Sequence, residues 1–429
     1  MRLGNTVDFP LAYLGAIAAG LVPVPTAAAL TEREVAPMIA TLQPRLILRD
    51  PQVPCPDHPS VVMLTDLRAM RDLPSADYHL GDPERPGYII YTSGTSGIPR
   101  AVVHAHRAIW ARQMMYDGWY GLAATDRILH AGAFNWTYTL GTGLMDPWAM
   151  GAVALIPAPG TDAAELPALM AAHDATIFAA APGVYRQILK SHAHCSLPML
   201  RHGLSAGEKL PNATRAAWEA ATGTQIFEAY GMSECSTFIS SAPAHPADPA
   251  TLGRPQPGRR VAIIGADGPV PRGDEGTIAV YRNDPGLMLG YLGAEAETAQ
   301  KYQGDWFMTG DQGAMDADDQ ITYLGRADDM MNAGGFRVSP IEVEQCIARF
   351  PGITAVGAVE VSVKQDTTVI AAFYTAPAPL DDARLRDYAR ANLARYKQPR
   401  MFIHMDALPM GANGKLMRRR LRQQFEETE

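Results

Sequence analysis

The sequence predicts an α/β protein, in which a large N-terminal domain of layered helices and mixed or parallel sheets, with a β module, precedes a small α+β C-terminal domain. Two observations favour this class. Between Pro10 and about Ile156, helical patterns alternate with short apolar runs, as in layered folds with parallel strands. The chain of 429 residues is also too long for a single core, so two or three domains are expected.

Bulk composition excludes several other classes of protein. Hydrophobic residues make up 47% of the chain, as in a packed globular protein. The net charge of -8 argues against binding to nucleic acid, and no apolar stretch is long enough to predict an integral membrane span. No pair among the four cysteines has CxxC spacing, which indicates neither a zinc site nor a disulfide framework and fits a reducing cytoplasm.

The large domain is expected to begin with a helix from about Asp8 to near Gly20, because the helix dipole favours an acidic first residue. Apolar runs rich in β-formers predict strands at 21–25, 46–50, 61–64, 87–90 and 151–157, and a second alternating block contains 175–182, a helix from Val184, 203–208 and 224–234. Gly/Asp/Pro turns around VAIIG and GTIAVY predict an antiparallel β module after Pro257.

The chain changes character after Leu324, where it becomes polar and rich in glycine. We therefore expect the large domain to span residues 1–326 and the small one residues 327–429. Within the small domain the sequence predicts helices at 340–350 and 381–393, and strands near 356–363 and 369–374.

The strongest indication of a ligand-binding site is in residues 91–106, YTSGTSGIPRAVVHAH. They follow a predicted strand, and their first part has very small side chains. Glycines permit unusual backbone angles and hydroxyls add donors to exposed N–H groups, which suits an anion. The stretch fits neither a Walker loop, which needs Lys after its second glycine, nor GxGxxG. The residues concerned are Thr92, Ser93, Gly94, Thr95, Ser96 and Gly97.

This loop resembles the Thr/Ser/Gly-rich phosphate loop of the acyl-adenylate-forming (AMP-binding) enzymes, which include acyl-CoA synthetases, adenylation domains and beetle luciferases. In those enzymes the loop usually ends in Pro-Lys-Gly, whereas here Arg100 follows Pro99. The resemblance implies that the loop residues and Arg100 bind the phosphates of ATP. Arg keeps the positive charge of Lys but is a planar fork.

A second motif, EAYGMSE, should emerge from the end of a strand, where open α/β sheets bind ligands. It resembles the family's Tyr-Gly-Met-Thr-Glu motif. The resemblance implies that Tyr230 stacks on adenine, that Ser233 bonds a phosphate and that Glu234 holds Mg²⁺, which requires hard oxygen ligands. From the segment alone, Glu234 could instead be an acid at a helix N-terminus. The SAGE segment with Gly207 and Glu208 resembles the adenine-side loop.

Further motifs lie toward the C-terminus. WFMTGD and YLGRADD resemble segments that imply a ribose-binding Asp311 with Arg326 beside the ribose and phosphate. Asp328 matches the family's hinge, about which the small domain is mobile between an adenylation pose and a thioester-forming pose. Hinges are residues at element ends that absorb backbone rotation.

The remaining matched positions concern the thiol and the adenylation step. Gly334, Gly335 and Arg337 match the segment that lines the channel for the thiol arm of coenzyme A. Lys415 matches the family's adenylation lysine, a cation that relieves repulsion as a carboxylate attacks the α-phosphate.

Residues 133–148 fall where the family places the helix that lines the carboxylic-acid pocket. Asn135 stands where many members have His, and Gly231 stands where acetate-specific relatives have Trp, so an acid larger than acetate is expected. Phe134, Trp136 and Met232 suit an aromatic or a medium-chain aliphatic acid, and the sequence does not separate the two.

Nearly the whole chain, from Asn5 onward, carries the resemblance, so the sequence is identified as a member of the acyl-CoA synthetase branch. This implies an ATP-, Mg²⁺- and coenzyme A-dependent acyl- or aryl-CoA ligase. Two alternatives stay open: a stand-alone adenylation enzyme that loads a carrier protein, and an inactive nucleotide-binding remnant. The sequence leaves the oligomeric state open, and a homodimer is one alternative. Family members normally carry a longer N-terminal stretch, so we expect a late start or an exposed sheet edge.

The HxH pairs His104/His106 and His192/His194 are expected to be surface or loop histidines. No third and fourth ligand follows either pair at the spacing that a metal site needs.

Overall fold

The computed structural model describes residues 1–92, 100–327, 329–333, 336–364, 367–411 and 416–427. The chain forms two compact units. The first comprises Met1–Val261 and Val280–Phe307, and the second comprises Ala262–Ala279 and Met308–Glu429. The second unit therefore contains a segment far upstream of residue 327, and a functional boundary at residue 327 stays a prediction.

The secondary structure is mixed throughout both units. The helices are α1 (Asp8–Ala18), α2 (Glu32–Leu42), α3 (Leu64–Ala69), α4 (His106–Ala111), α5 (Thr137–Leu140), α6 (Asp146–Met150), α7 (Leu166–Ala172), α8 (Pro182–Ser191), α9 (Asn212–Thr222), α10 (Glu295–Gln300), α11 (Pro340–Ile347), α12 (Asp382–Asn392) and α13 (Arg418–Glu426).

The strands of the first half of the chain are β1 (Ile47–Arg49), β2 (Val61–Met63), β3 (Pro86–Thr92), β4 (Arg100–Ala105), β5 (Arg127–His130), β6 (Val153–Leu155), β7 (Ile177–Ala180), β8 (His202–Ala206), β9 (Ile226–Met232), β10 (Ser236–Ser240) and β11 (Arg254–Pro255). Those that follow are β12 (Val261–Gly265), β13 (Gly268–Pro269), β14 (Glu275–Tyr281), β15 (Gly290–Tyr291), β16 (Tyr302–Gln303), β17 (Trp306–Met315), β18 (Ile321–Arg326), β19 (Met331–Ala333), β20 (Phe336–Val338), β21 (Ala355–Lys364), β22 (Thr367–Thr375) and β23 (Met401–His404).

A seven-stranded sheet in the order β11-β10-β9-β8-β7-β5-β6 organises the first unit. Strands β6, β5, β7, β8 and β9 are parallel, and β10 and β11 continue the sheet antiparallel. Every residue of β7 and β8 is buried, which explains the continuous apolar sequence of β7. The carboxyl ends of the parallel strands therefore meet at one edge of the sheet, where ligands bind in open α/β folds.

The N-terminal elements confirm most of the predictions from sequence, and two were wrong. Helix α1 and strands β1 to β3 occur where the apolar patterns indicated. The strand predicted at 21–25 is absent, because these residues pair only through isolated bonds such as Ile89 N to Pro23 O at 3.1 Å. The sequence also missed β4, which pairs antiparallel with β3 and places Arg100 opposite Thr92.

The second unit confirms the predicted α+β character of the C-terminal part. Helices α11 and α12 pack with a hairpin of β21 and β22, and β23 joins β22 in parallel. Apolar side chains such as Met331, Val343 and Ile370 form one of its cores. The polar, glycine-rich segment after Leu324 contains β19 and β20, which are paired antiparallel. Among the described helices, none combines the length and apolar character that crossing a bilayer requires.

Candidate active site

The turn at residues 233–235 lies at the carboxyl end of β9 and connects it to β10. Met232 and Ser236 face each other across this hairpin. Glu234 is therefore presented from a strand end, as predicted, and the alternative of a helix N-terminal acid is wrong because the residues that follow form a strand.

Two groups from the segment around β15 hold Glu234. Tyr291 Oη donates to Glu234 Oε1 at 2.7 Å, and Met288 N donates to the Glu234 carbonyl oxygen at 2.7 Å. Burial, reinforced by the Glu234 charge, raises the pKa of Tyr291 well above its ordinary value, so the phenol keeps its proton and remains a donor. Glu234 is consequently fixed in both its main chain and its side chain.

The donor set at this turn fits Mg²⁺. Within the described ranges, neither Glu234 Oε2 nor Ser233 Oγ makes a hydrogen bond, so both oxygens can receive a ligand. The described residues contain no group of three or more His, Cys, Asp and Glu side chains arranged for a metal. One carboxylate combined with phosphate oxygens and water is a common way for proteins to bind Mg²⁺.

His104 also contacts this turn. Its prediction as a surface or loop histidine was wrong. It lies on β4, is fully buried and contacts the Ser233 carbonyl oxygen through Nε2 at 2.7 Å. Its ring stacks on Tyr88, with ring centroids 4.7 Å apart. Burial lowers the pKa of His104 to about 4, so the ring is neutral near pH 7 and Nε2 carries the donated proton.

The described ends of the predicted phosphate loop are the facing residues Thr92 and Arg100. Arg100 N donates to Thr92 Oγ1 at 3.4 Å, and Arg100 Nε donates to Glu297 Oε2 at 2.7 Å. Strand β15 pairs with β4 and sets Tyr291 opposite Val102. Strand β4 therefore begins with Arg100, and β4 and its neighbour β15 both contact the Glu234 turn. Ser93, Gly94, Thr95, Ser96 and Gly97 lie outside the described residues.

The predicted adenine-side residues lie at the ends of β8 and β9. Tyr230 is half-buried, with its ring edge-on to Phe238 at 5.4 Å. Gly207 has φ +98°, and a Cβ there would lie 2.6 Å from Trp136 Cζ2. Glu208 forms an ion pair with Arg186 at 3.6 Å. The predicted adenine loop thus contacts a residue predicted for the acid pocket.

The acid-pocket residues divide into two groups. Asn135, Trp136 and Met232 are half-buried near the strand ends, and Trp136 packs edge-on against Tyr138 at 5.1 Å. Phe134, in contrast, is buried and stacks on Phe9 at 4.8 Å within the core of the N-terminal helix. The contacts of Phe134 are therefore those of a core residue.

Gly231 was expected to leave room for an acid larger than acetate, and this reason was wrong. A Cβ at Gly231 would lie 2.1 Å from the Ser236 carbonyl oxygen and 2.5 Å from Thr237 Cα. Neither distance is compatible with a real side chain. The glycine is required because β10 pairs closely with β9 at this point. The backbone of β10 occupies the position of a Cβ at residue 231, so the glycine does not open space for an acid.

The second unit brings together the predicted ribose residues. Asp311 lies within β17 directly opposite Arg326 on β18, and Arg326 Nε is 3.4 Å from Asp311 Oδ1. Gly310 adopts φ +82°, with Arg326 Nη2 3.4 Å from where its Cβ would lie. Asp328, Gly334, Gly335 and Lys415 lie outside the described residues, and Arg337 is described only as part of β20.

A layered α/β unit with a carboxylate turn at the carboxyl ends of parallel strands, followed by an α+β unit, defines a nucleotide-binding class of enzyme fold. The chain belongs to the AMP-binding enzyme family. The family model for the AMP-binding enzyme matches residues 1–292, and the model for the AMP-binding enzyme C-terminal domain matches residues 342–415.

Named relatives are CoA ligases and synthetases. The chain is 32% identical to the 3-hydroxybenzoate--CoA ligase of Aromatoleum sp. (strain CIB) over 80% of this chain and 66% of that protein. It is 30% identical to human acyl-coenzyme A synthetase ACSM2A over 78% of this chain and 60% of that protein. The chain thus spans 60% to 66% of the length of these relatives.

Solved structures share the fold over nearly the whole chain. The anthranilate CoA ligase AuaEII in complex with anthranoyl-AMP superposes with a TM-score of 0.88 at 26% identity, covering 99% of this chain and 87% of that one. A benzoate CoA ligase from Burkholderia xenovorans LB400 superposes with a TM-score of 0.85 at 25% identity, covering 98% and 88%. These matches confirm the predicted fold class.

Proposed function

We propose that the protein is an ATP-dependent aryl- or acyl-CoA ligase. A carboxylic acid and ATP give an acyl-adenylate and pyrophosphate, and coenzyme A then gives the acyl-CoA and AMP. The observation that carries the proposal is the turn at residues 233–235, where, within the described ranges, Ser233 Oγ and Glu234 Oε2 make no hydrogen bond, and which is contacted by β15 and by β4, the strand that begins with Arg100. Family membership and the names of the relatives support the same reaction.

The residues of the first unit take roles that their contacts allow. Glu234 would hold Mg²⁺, which would neutralise phosphate charge, while Tyr291 keeps the Glu234 carboxylate in place and Met288 keeps its main chain in place. Ser233 donates to a phosphate oxygen. Arg100 supplies positive charge near the β- and γ-phosphates.

The remaining roles rest on the sequence resemblance. Tyr230 and the loop with Gly207 and Glu208 bind adenine, and the facing pair Asp311 and Arg326 binds the ribose. Lys415 assists adenylation, and the segment with Gly334, Gly335 and Arg337 lines the path of coenzyme A. Asp328 is the hinge between residues 1–326 and 327–429. A cytoplasmic location and a homodimer also stay predictions.

We propose an aromatic acid, larger than acetate, as the substrate. Trp136 and Tyr138 meet edge-to-face beside the strand ends, and such a pair can pack a further aromatic ring. The similar proteins include 3-hydroxybenzoate, benzoate and anthranilate CoA ligases, which supports this choice over an aliphatic acid.

An acid panel tests the proposal directly. The protein is incubated with ATP, Mg²⁺, coenzyme A and one acid at a time from benzoate, hydroxybenzoates, anthranilate, butyrate and acetate, and the acyl-CoA is detected by liquid chromatography. We expect aryl-CoA products with benzoate-type acids and none in the Glu234→Gln variant. Acid-dependent ATP–pyrophosphate exchange without thioester would favour a carrier-protein acceptor. Absence of exchange with every acid would refute the ligase proposal.

A further inference from the structure

A buried arginine joins the Glu234 turn to the helical segment that precedes β6. Arg112 follows α4, and its side chain is 2% exposed, while that of Asp146 at the start of α6 is 1% exposed. Arg112 Nε and Nη2 donate to the two carboxylate oxygens of Asp146, both at 2.7 Å. This bidentate pair fixes the plane of the guanidinium group.

The third arm of the same guanidinium reaches the turn. Arg112 Nη1 donates to Ser236 Oγ at 2.5 Å. Ser236 is the first residue of β10 and has φ +60°, a left-handed conformation that is uncommon for serine. Because Asp146 holds Nε and Nη2 and the guanidinium group is planar and rigid, the position of Nη1 is fixed as well. The position of Ser236, two residues after Glu234, is therefore tied to Asp146.

The segment that carries Asp146 is built around this contact. Tyr120 Oη donates to Asp146 Oδ2 at 2.7 Å and also bonds Thr142 Oγ1 at 2.8 Å. A Cβ at Gly141 would lie 1.8 Å from Arg112 Nη2, so only glycine allows the guanidinium to lie against this backbone. Every oxygen of Asp146 is thus used, and the carboxylate cannot turn away from Arg112.

Arg112 remains charged over the accessible pH range. Burial by itself would lower the pKa of Arg112, but the Asp146 carboxylate outweighs burial and holds that pKa above its ordinary value. Buried ion pairs often stabilise a fold no more than apolar residues of the same volume would. The geometric effect of this pair on the turn is therefore the property to test.

A second buried ion pair contacts the turn from another direction. Arg259 pairs with Asp284, and both are almost completely buried. Arg259 Nη2 donates to the Thr237 carbonyl oxygen at 3.4 Å, and Cys235 Sγ lies 3.7 Å from Asp284 Oδ1. Together with His104 at Ser233 and Met288 at Glu234, each residue from 233 to 237 has a partner outside the hairpin.

We propose that Arg112 is a positioning residue for the metal and phosphate step, holding the turn of Ser233 and Glu234 in place through Ser236. The inference rests on the proposed role of Glu234 as the Mg²⁺ ligand. Outer partners that orient a metal ligand change metal affinity by about 10- to 100-fold when they are removed. We expect an effect of that size without loss of the fold.

Ser236→Gly is the sharpest variant. It removes the hydroxyl that Arg112 contacts, leaves the Arg112–Asp146 pair intact and suits the positive φ. Ser240→Ala is the matched control, because it removes a buried serine hydroxyl from the other end of β10, where Ser240 Oγ donates to Gly118 O at 2.7 Å. Arg112→Lys keeps the charge and loses the fork.

Metal affinity is measured without turnover, by electron paramagnetic resonance of Mn²⁺ titrated into the protein with ATP, and steady-state KM values for ATP and acid are measured in parallel. We expect Ser236→Gly and Arg112→Lys to bind Mn²⁺ about 10-fold or more weakly and to raise KM for ATP more than KM for the acid. Ser240→Ala should remain within twofold of wild type, and thermal midpoints of Ser236→Gly and wild type should agree.

Glu234→Gln distinguishes the role of Glu234 as the metal ligand from the role of Arg112 in positioning the turn. Loss of Mn²⁺ binding in Glu234→Gln together with wild-type binding in Ser236→Gly would overturn the positioning role alone. Wild-type Mn²⁺ binding in both variants would overturn the metal role of Glu234 and the positioning role with it.

Discussion

Lowering the pH should destabilise the first unit through His104. The folded protein lowers the pKa of this imidazole from 6.5 to about 4, chiefly because it is buried, with the Ser233 carbonyl opposing the shift and Arg107 and Arg112 adding to it. The unfolded chain therefore binds a proton more readily between these two values. Stability from this group is complete above pH 6.5 and is lost as the pH falls toward 4.

The size of the effect follows from the shift. One pKa unit corresponds to ~1.4 kcal/mol. At pH 5 the unfolded histidine is protonated and the folded one is not, so His104 should lower the free energy of unfolding by about 2 kcal/mol relative to pH 8. That loss is a large fraction of the stability of an ordinary domain.

Urea unfolding at pH 8 and pH 5 measures this loss in wild type and in His104→Gln. All six tryptophans belong to the first unit, so their fluorescence follows that unit. Glutamine can donate to the Ser233 carbonyl but does not titrate. We expect the decrease between the two pH values to be smaller in His104→Gln by about 2 kcal/mol. The exposed His194→Gln serves as control, and equal decreases in His104→Gln and wild type would refute the reasoning.

Three further substitutions test other parts of the site. Gly231→Ala should cost about 1–3 kcal/mol of stability, since its Cβ would collide with the backbone of β10, whereas Gly183→Ala, where the nearest atom is 3.6 Å away, should not lower the thermal midpoint. Arg100→Ala should raise KM for ATP while Arg100→Lys stays active, because charge is the shared property; wild-type kinetics in the alanine variant would mean that Arg100 serves only its pair with Glu297. Lys415→Ala should abolish adenylation but leave thioester formation from supplied acyl-adenylate intact, and equal loss of both steps would refute the two-pose assignment.

The sequence was sufficient for elements whose signal is local. Continuous apolar runs such as that of β7 predicted buried parallel strands, because a strand covered on both faces has no polar alternation. The same reasoning placed Glu234 at a strand end, since the apolar residues of β9 precede it directly. Helices α11 and α12 likewise follow from periodicity and from capping residues such as Ser339 and Asp381.

The supports of the turn could not be predicted because their partners are distant in the chain. His104 contacts a residue 129 positions away, and Arg112 contacts one 124 positions away. In the sequence, His104 belongs to an HxH pair and Arg112 follows a short helix, and neither context indicates burial. At position 231 the sequence shows a glycine, but it does not show which neighbouring atoms occupy the space that a side chain would take.

Strand β4, which the sequence did not reveal, connects Arg100 at the end of the predicted phosphate loop to the Glu234 turn. Arg100 begins the strand and His104 lies four residues later, so both side chains emerge on the same face. The first pairs with Glu297 beside the phosphate loop, and the second holds the Ser233 carbonyl. Their backbones are ~13 Å apart in an extended strand. Because β15 pairs with the middle of β4 and Tyr291 of β15 bonds Glu234, strand pairing sets the position of the turn relative to Arg100. In the function proposed above, such strand pairing would preorganise these groups for phosphate charge before ATP binds.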